Sequence, residues 1–376
     1  MNILLIANHL NVGGISSYLL TLGSGLKQKG HQVYLASSGG ELEDKFIQAG
    51  ITLFKVPLKT KNEISPKIFF CFWKLRKVVR EFNIDLIHSQ SRTSQVLADL
   101  LGRALVKPHI FSCHGFFKPK LSRRIFGCWG QKVIAISQQV KEHLIADFKL
   151  DEFKISVVHN GIDTKNFGDF SARDRLRKDL GVQDALLVGM IARLSDVKGH
   201  IYLIRAMPEV VKIFPTAKLL IIGEGKMKDA LARETDRLGI KGNVLFIPRA
   251  SNTRDLLSAM DIFVMPSLQE GLGLALMEAM AQGVAVVGSA VGGIKTLIQD
   301  RVNGLLVAPA DSAALAQAVI RLCNDSALRR ALGSRAREFI MANFSKEEMV
   351  DKTEIVYQQS LKNNRPRRIG ERKIKS

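Results

Sequence analysis

The chain contains no apolar run long enough to cross a lipid bilayer. Its longest runs, such as residues 185–192, fall far short of the roughly 20 apolar residues that a membrane-spanning helix requires. The N-terminal sequence MNILLIANHL lacks the basic region and the small-residue cleavage site of a signal peptide, so we interpret it as a first strand. These absences predict a cytoplasmic protein without a transmembrane helix.

Three further patterns are missing, and each absence excludes or disfavours a class of site. The cysteines form no Cys-x-x-Cys pair and are too few for a disulfide scaffold. No Asp-x-Asp pair occurs, so a divalent metal site held by such a pair is not supported, and we expect neither a metal nor another cofactor. The pattern Gly-x-Gly-x-x-Gly is absent after the first strand, which disfavours a dinucleotide-dependent dehydrogenase. The four cysteines are Cys71, Cys113, Cys128 and Cys323.

The composition is that of a globular protein with an unusually basic first half. The 376 residues are 46% apolar and 24% charged, and this length predicts two domains. Residues 1–180 hold 27 basic and 15 acidic side chains, whereas residues 181–360 hold 21 and 19 and residues 361–376 hold 7 and 1. The overall net charge of +20 implies an anionic partner, and nucleic acid, anionic lipid and phosphorylated substrates are the candidates.

Short apolar runs alternate with amphipathic stretches, which predicts βαβ units and mostly parallel sheets. The predicted strands are residues 2–7, 32–37, 51–56, 85–88, 108–113, 132–136, 155–158, 186–191, 218–222, 244–247, 262–265 and 284–287. The predicted helices are residues 16–29, 65–82, 93–106 and 138–148, followed by helices that begin near residues 199, 227, 253, 272 and 311. No strand or helix is predicted in the polar segment 160–181.

This order predicts an α/β protein with two doubly wound domains, residues 1–163 and 164–343, that face each other across a cleft. Residues 344–361 are expected to form a helix that crosses back to the first domain. Residues 362–376 are basic and lack apolar periodicity, so we expect a disordered tail. Ligands of doubly wound sheets bind beyond the carboxyl ends of the strands, and the residues that follow each strand are therefore the candidates for a site.

Two glycines follow the first predicted strand of the first domain, and two cations follow the first predicted strand of the second domain. Gly13 and Gly14 open a helix whose N-terminus offers free N–H groups to an anion, although a tight turn that binds nothing explains them equally well. Arg193 and Lys198 follow the predicted strand 186–191, where their positive charges suit a diphosphate. Alone, two such cations are more often solvated, and it is their position that favours binding.

Two glutamates and a histidine complete the candidate set. Glu270 and Glu278 lie eight residues apart. We place Glu270 at the mouth of a helix that carries Glu278 about two turns in, so both carboxylates fall near the same helical face and suit the hydroxyls of a sugar. As an isolated pair, two glutamates at this spacing are more often surface residues than ligands. His114 and His88 each end a predicted strand. A strand-end histidine that faces a cleft suits catalysis, with a purely structural histidine as the equal alternative.

Taken together, these motifs resemble the GT4 family of retaining glycosyltransferases, which have the GT-B fold. The resemblance covers the chain except its tail, and the segment DIFVMPSLQEGLGLALME (residues 261–278) is the most specific part. The motifs, in chain order, are Gly13-Gly14, His114-Gly115, Asn160-Gly161-Ile162-Asp163, Arg193 with Lys198-Gly199, Gly223-Glu224-Gly225, Glu270 to Glu278, and Val291-Gly292-Gly293.

The resemblance implies a first domain that binds the acceptor and a second that binds a nucleoside diphosphate sugar, with UDP favoured over GDP. It implies a hexosyltransferase that needs no metal, because cations and a helix N-terminus meet the leaving-group charge. The implied catalytic residues are His114 and Glu270. The implied donor-binding residues are Gly14, Arg193, Lys198, Gly271, Leu272, Gly273, Leu274 and Glu278.

Two positions depart from the family pattern, and other functions stay open. Leu272 stands where the family often has Phe, and residues 246–249 replace a commoner glycine-containing turn near the nucleobase. A GT-B sugar epimerase or phosphorylase is one alternative, which the segment from Glu270 to Glu278 disfavours. A basic nucleic-acid-binding protein is the other, although no recognised nucleic-acid module is present.

A basic and aromatic stretch of the first half predicts membrane binding. Residues 67–82 and the basic segment 103–132, with Phe116, Phe117 and Phe126, suit an anionic membrane surface together with the tail. We therefore expect a peripheral enzyme at the inner face of the plasma membrane that acts on a lipid-linked, polysaccharide or lipopolysaccharide acceptor and binds no nucleic acid. Four aromatic side chains of this stretch, Phe69, Phe70, Phe72 and Trp73, are expected to pack in the core.

Overall fold

The computed structural model describes residues 1–60, 62–63, 65–119, 123, 126–248 and 253–363. Within these residues the chain forms two parallel β-sheets, each flanked by helices. The predicted tail lies outside the described residues from residue 364 onward, and so do Lys120, Arg124 and Arg249. None of the described helices combines the length and the apolar character that a bilayer crossing requires.

The first sheet is built from seven parallel strands in the order β3-β2-β1-β4-β5-β6-β7. These strands are β1 Asn2–Ile6, β2 Gln32–Ser37, β3 Thr52–Lys55, β4 Leu86–Ser89, β5 His109–Cys113, β6 Lys132–Ala135 and β7 Ile155–Val157. The helices between them are α1 Gly14–Gln28, α2 Glu43–Gln48, α3 Pro66–Glu81, α4 Arg92–Leu105 and α5 Gln138–Phe148. The strand order reverses between β1 and β4, which opens a crevice at the carboxyl edge of the sheet.

The second sheet has six parallel strands in the order β10-β9-β8-β11-β12-β13. The strands are β8 Leu187–Ile191, β9 Lys218–Ile222, β10 Val244–Ile247, β11 Ile262–Met265, β12 Ala285–Ser289 and β13 Leu305–Val307. The helices are α6 Arg173–Asp179, α7 His200–Ile213, α8 Lys228–Arg237, α9 Thr253–Ala259, α10 Leu274–Gln282, α11 Ile294–Leu297, α12 Ser312–Asn324 and α13 Ser326–Asn343. Here the order reverses between β8 and β11.

The last described helix, α14 Lys346–Asn363, lies against α1 of the first sheet. Lys29 reaches it through ion pairs to Asp351 at 2.5 Å and Glu354 at 2.6 Å. Inside the packing, the Tyr357 hydroxyl is hydrogen-bonded to Nδ1 of His88 at 2.6 Å. The chain thus joins its two α/β units twice, once near Ile162 and once near Ser345, and these two segments pair as a short β-bridge.

Helix α6 lies in the segment that the sequence analysis left without structure. Its few apolar side chains gave no periodic signal, and tertiary contacts hold it instead. Arg173 and Arg177 both form ion pairs with Asp261 just before β11, at 2.6 and 3.2 Å. Arg177 also donates to the backbone carbonyl of Ala259 at 2.9 Å. Such long-range arginine contacts do not show in a local sequence pattern.

The prediction that the α3 aromatic residues are buried is wrong for three of the four. Phe69, Phe70 and Trp73 are 58%, 60% and 59% exposed, and only Phe72 packs partly against the core. The helix buries the opposite side, formed by Ile68, Cys71, Leu75, Val78 and Val79.

Of the three aromatic residues predicted for the membrane-facing surface, two are partly buried and one is exposed. Phe116 and Phe117 are partly buried against the hydrophobic cluster that the two units share. Phe126 is 69% exposed.

Candidate functional site

A lysine and a glutamate from two neighbouring loops meet at the carboxyl edge of the second sheet. Lys198 lies in the loop after β8 and Glu270 in the loop after β11, with Lys198 Nζ 2.6 Å from Glu270 Oε2. The Ser267 hydroxyl donates to the same carboxylate oxygen at 3.3 Å. The Lys198 and Glu270 side chains are 22% and 12% exposed, so this ion pair lies in a partly desolvated crevice.

Gly199 permits the close approach of these two loops. Its φ of +74° is in the left-handed region, and a Cβ at this position would overlap the carbonyl oxygen of Pro266. Any other residue would push the β8 loop away from the β11 loop and separate Lys198 from Glu270. Arg193, in the same β8 loop, is exposed, and no residue within the described ranges pairs with its side chain.

Glu270 and Glu278 do not share a helical face, and that prediction is wrong. The helix α10 begins at Leu274, so Glu270 precedes it and only Glu278 lies on it. Gly273, with φ +99°, is the N-cap, and the chain turns sharply there before the helix starts. The turn leaves Glu270 beside Lys198 and places Glu278 about one helical turn into α10.

Glu278 occupies a half-buried position next to α9. The hydroxyl of Thr253 donates to Oε2 of Glu278 at 3.4 Å. Burial raises the pKa of this carboxyl from 4.5 to about 7, and the Thr253 hydrogen bond opposes the shift only weakly. Near neutral pH the side chain therefore exists in both protonation states.

The two units touch at the same place. A Cβ on Gly271 would lie 2.7 Å from the carbonyl oxygen of His114 and 3.0 Å from Cδ1 of Ile136, both in the first unit. Beside this contact, Thr296 donates to the side chain of Gln139 across the cleft at 3.2 Å. The loop that carries Glu270 is thus in direct contact with the loop that carries His114.

His114 is held between an amide and an aromatic ring. Its Nε2 is 2.8 Å from Oε1 of Gln90, and its ring lies edge-on to that of Tyr18 with 4.7 Å between centroids. With the amide oxygen facing the ring, Nε2 carries the proton and Nδ1 keeps its lone pair. Burial lowers the His114 pKa to about 4, so the imidazole is neutral at pH 7.

Gln90 and Tyr18 are neighbours of the candidate site that the sequence analysis missed. Gln90 directly follows β4 and is 2% exposed, so the rule that identified His114 after β5 also applies to it. Tyr18 lies on α1 and looks like an ordinary core residue, but its hydroxyl bonds to Ser112 at 3.3 Å while its ring contacts His114.

The structure favours the structural interpretation of His88. Its side chain is fully buried, with Nδ1 bonded to Tyr357 and Nε2 bonded to Ser112 at 2.8 Å. Burial holds its pKa well below the ordinary value, so it contributes a neutral hydrogen-bonding group to the core of the first unit.

Gly13 and Gly14 lie after β1, at the start of α1. A Cβ at either position would meet no heavy atom within 4 Å, and neither φ lies in the left-handed region. The local fold therefore does not require glycine at either position, which argues against the tight-turn explanation. The space next to the α1 N-terminus is open to a ligand.

The described part of the chain contains no group of three His, Cys, Asp or Glu side chains that could hold a metal ion. The charged side chains of the site are Arg193, Lys198, Glu270 and Glu278, which lie in the loops and the helix that follow the neighbouring strands β8 and β11.

Comparisons with known proteins agree with this architecture. Residues 172–339 match the family model described as glycosyl transferases group 1, and residues 12–166 match that of glycosyltransferase family 4. An N-acetyl-alpha-D-glucosaminyl L-malate synthase from Bacillus anthracis is 27% identical, with 96% of this chain and 97% of that protein covered. A UDP-Gal:alpha-D-GlcNAc-diphosphoundecaprenol alpha-1,3-galactosyltransferase from Escherichia coli is 25% identical, with coverage of 86% and 87%.

The crystal structure of Anabaena Alr3699/HepE in complex with UDP and glucose has the same fold. It superposes with a TM-score of 0.84 at 22% identity and covers 95% of this chain and 99% of its own. The chain has two parallel sheets that meet across a cleft, and the residues of each α/β unit match a glycosyltransferase family model. These observations lead to one assignment. The chain belongs to the GT4-family glycosyltransferases of the GT-B fold.

Proposed function

We propose that the protein transfers a hexose-type sugar from a UDP-sugar to a saccharide or lipid-linked acceptor, with retention of the anomeric configuration and without a metal. The observation that carries the proposal is the Lys198–Glu270 pair, which lies in a partly desolvated crevice on the loop that contacts His114. Cations for a leaving diphosphate and acceptors for sugar hydroxyls thereby share one cleft with a neutral imidazole.

In the proposed donor site, positively charged groups lie against the diphosphate and a carboxylate lies against the ribose. Arg193 and Lys198 hold the diphosphate, and the N–H groups at the start of α10 add positive dipole ends. Glu278 accepts hydrogen bonds from two ribose hydroxyls, which stabilises its ionised form. The similarly folded Anabaena protein crystallised with UDP and glucose, and this supports UDP as the nucleotide.

The hexose lies in this scheme between Glu270 and the backbone of residues 271–274. Lys198 Nζ forms an ion pair with Glu270 Oε2 at 2.6 Å. When the donor enters, the ammonium of Lys198 is shared between that carboxylate and the diphosphate. The remaining lone pairs of Glu270 then accept hydrogen bonds from sugar hydroxyls.

Across the cleft, Gly14 leaves room for the phosphate and His114 lies beside the sugar. A neutral imidazole offers a hydrogen-bond acceptor without adding charge next to a developing oxocarbenium ion. In the reaction the bond between the anomeric carbon and the phosphate oxygen breaks while the acceptor oxygen attacks from the same face. The proton of the acceptor hydroxyl passes to the departing phosphate oxygen, so charge and atoms balance.

Turnover is expected to survive chelation, because Arg193, Lys198 and the start of α10 offset the charge of the leaving diphosphate. UDP release and product formation should be equal with and without EDTA, and NMR of the product should show the anomeric configuration of the donor. Activity that EDTA abolishes and magnesium or manganese restores would overturn metal independence. An inverted product would overturn retention.

We also propose that the acceptor is anionic or lipid-linked, as in assembly of an envelope polysaccharide or lipopolysaccharide, and that the enzyme works on the cytoplasmic face of the plasma membrane. The name of the Escherichia coli relative includes a diphosphoundecaprenol acceptor, which supports a lipid carrier. The net basic charge of residues 1–180 supports an anionic surface as partner.

Membrane binding is expected to depend on lipid charge. The protein should sediment with vesicles that contain phosphatidylglycerol, stay in solution with pure phosphatidylcholine vesicles, and be released by high salt, because salt screens exposed charges. Protein that stays in the supernatant with anionic vesicles at low salt would contradict this part of the proposal and leave the sugar-transfer part intact.

A further inference from the structure

The first two turns of α3 present large aromatic side chains to solvent. Phe69, Phe70 and Trp73 are each more than half exposed, and their spacing places them on the outward side of the helix. The opposite side already packs against the first sheet through Ile68 and Leu75. The outward aromatics therefore add nothing to the packing that holds the helix, and clustered exposed rings are typical of an interaction site.

The same side of α3 is cationic. Lys67, Lys74, Lys77 and Arg80 are exposed, and Arg76 stacks over the Trp73 ring at 5.3 Å. The helix contains one acidic residue, Glu81, at its last position. We call this set of exposed residues, together with the three aromatics, the α3 surface. Aromatic rings with lysines and arginines around them suit the headgroup region of an anionic bilayer.

The aromatic end of the α3 surface lies near the cleft. Strand β3 ends at Lys55 and α3 begins at Pro66, so the first turns of α3 lie toward the carboxyl edge of the first sheet. A contact supports this placement: Glu63, just before α3, pairs at 2.9 Å with Arg92 at the start of α4, directly after β4. His114 follows β5 at the same edge of the sheet.

We propose that the α3 surface is where the protein docks on an anionic lipid bilayer, with Phe69, Phe70 and Trp73 among the headgroups and the basic residues on lipid phosphates. This inference rests on the membrane association proposed above and identifies the surface responsible. Charge complementarity favours a bilayer over a second copy of this chain, because two such cationic surfaces would repel each other. Docking there turns the cleft edge toward the membrane, where a lipid-linked acceptor is held.

Trp73 supplies a direct reporter of docking. The chain has two tryptophans, and the other, Trp129, packs against Phe111 and Phe148. In a Trp129→Phe variant, Trp73 emission should shift to shorter wavelength with phosphatidylglycerol-containing vesicles and stay unchanged with phosphatidylcholine alone. Unchanged emission from protein that sediments with anionic vesicles would show that another surface binds, and would overturn the inference.

A variant and a matched control complete the test. Phe69→Ser/Phe70→Ser/Trp73→Ser should weaken vesicle binding by about tenfold or more, because three rings leave the interface. Phe153→Ser, at an aromatic residue that is 87% exposed outside the α3 surface, should bind as the unchanged protein does.

Both variants should keep the rate of UDP release from a UDP-sugar in the absence of lipid, which separates failure of docking from failure of the proposed function. Full vesicle binding by the triple variant would overturn the inference. So would a dimer in sedimentation velocity that the triple variant abolishes, because the α3 surface would then hold a second copy.

Discussion

Replacing Glu278 with glutamine is expected to weaken UDP binding by roughly ten- to hundred-fold and to stabilise the fold at pH 8. The loss of affinity follows from removing a charged hydrogen-bond acceptor for the ribose, which typically contributes about 1.5 to 3 kcal/mol. The gain in stability follows from the pKa of about 7, since the folded protein then holds a carboxylate that burial disfavours. The two effects have opposite signs and can be measured on the same preparation.

The direction in which stability changes with pH follows from the number of protons that the folded and the unfolded chain bind. Between about pH 4.5 and 7 the folded state retains a proton on Glu278 that the unfolded chain has released, so the free energy of unfolding falls as pH rises through this window. By pH 8 the loss is about 3 kcal/mol, and Glu278→Gln recovers much of it. Affinity for UDP should rise over the same window, because binding favours the carboxylate.

Urea unfolding and calorimetric titration with UDP at pH 5.5 and pH 8 measure both quantities. The control is Glu209→Gln, at an exposed glutamate of α7, which should change neither. Equal UDP affinity of Glu278→Gln and the unchanged protein at pH 8 would contradict the ribose assignment. A variant that is less stable at pH 8 would contradict the account of the raised pKa.

Replacing Lys198 with alanine is expected to lower the rate of sugar transfer by about a hundredfold or more. The change removes a cation from the proposed diphosphate site and leaves Glu270 without its 2.6 Å partner in a partly desolvated crevice. Steady-state UDP release from a UDP-sugar measures the effect.

Lys226→Ala is the matched control for this loss. Lys226 pairs with Asp196 at 2.5 Å near the same loop, but both side chains are more than half exposed, so the ion pair contributes little. Its transfer rate should stay within about twofold of that of the unchanged protein. Equal losses in the two variants would mean that general positive charge, and not the position of Lys198, supports the reaction.

The strands were predictable because parallel strands covered on both faces form continuous apolar runs. The bounds of β2, β9, β10 and β11 match the predicted ones. Strand β13, Leu305–Val307, was missed, although β7 is equally short and was predicted. Helix α6 was missed because ion pairs from Arg173 and Arg177 to a distant Asp261 hold it, and local periodicity does not contain such contacts.

The site was partly predictable from the rule that ligands bind after the carboxyl ends of parallel strands. This rule identified Lys198, Glu270 and His114, and the structure brings their loops together. The rule did not predict the ion pair between Lys198 and Glu270, because local periodicity does not encode a contact between residues 72 positions apart. The prediction that Glu270 stands at the mouth of the helix and shares a face with Glu278 failed because the helix starts only at Leu274, after Gly273.

The measurement that tests the central claim most directly is UDP release from a panel of nucleotide sugars by four proteins: the unchanged chain and its Lys226→Ala, Lys198→Ala and Glu278→Gln variants. We predict release from at least one UDP-sugar by the unchanged chain and Lys226→Ala, and a loss of at least about tenfold in the other two. Release that does not differ among the four proteins, or none from any nucleotide sugar, would contradict sugar transfer in this cleft.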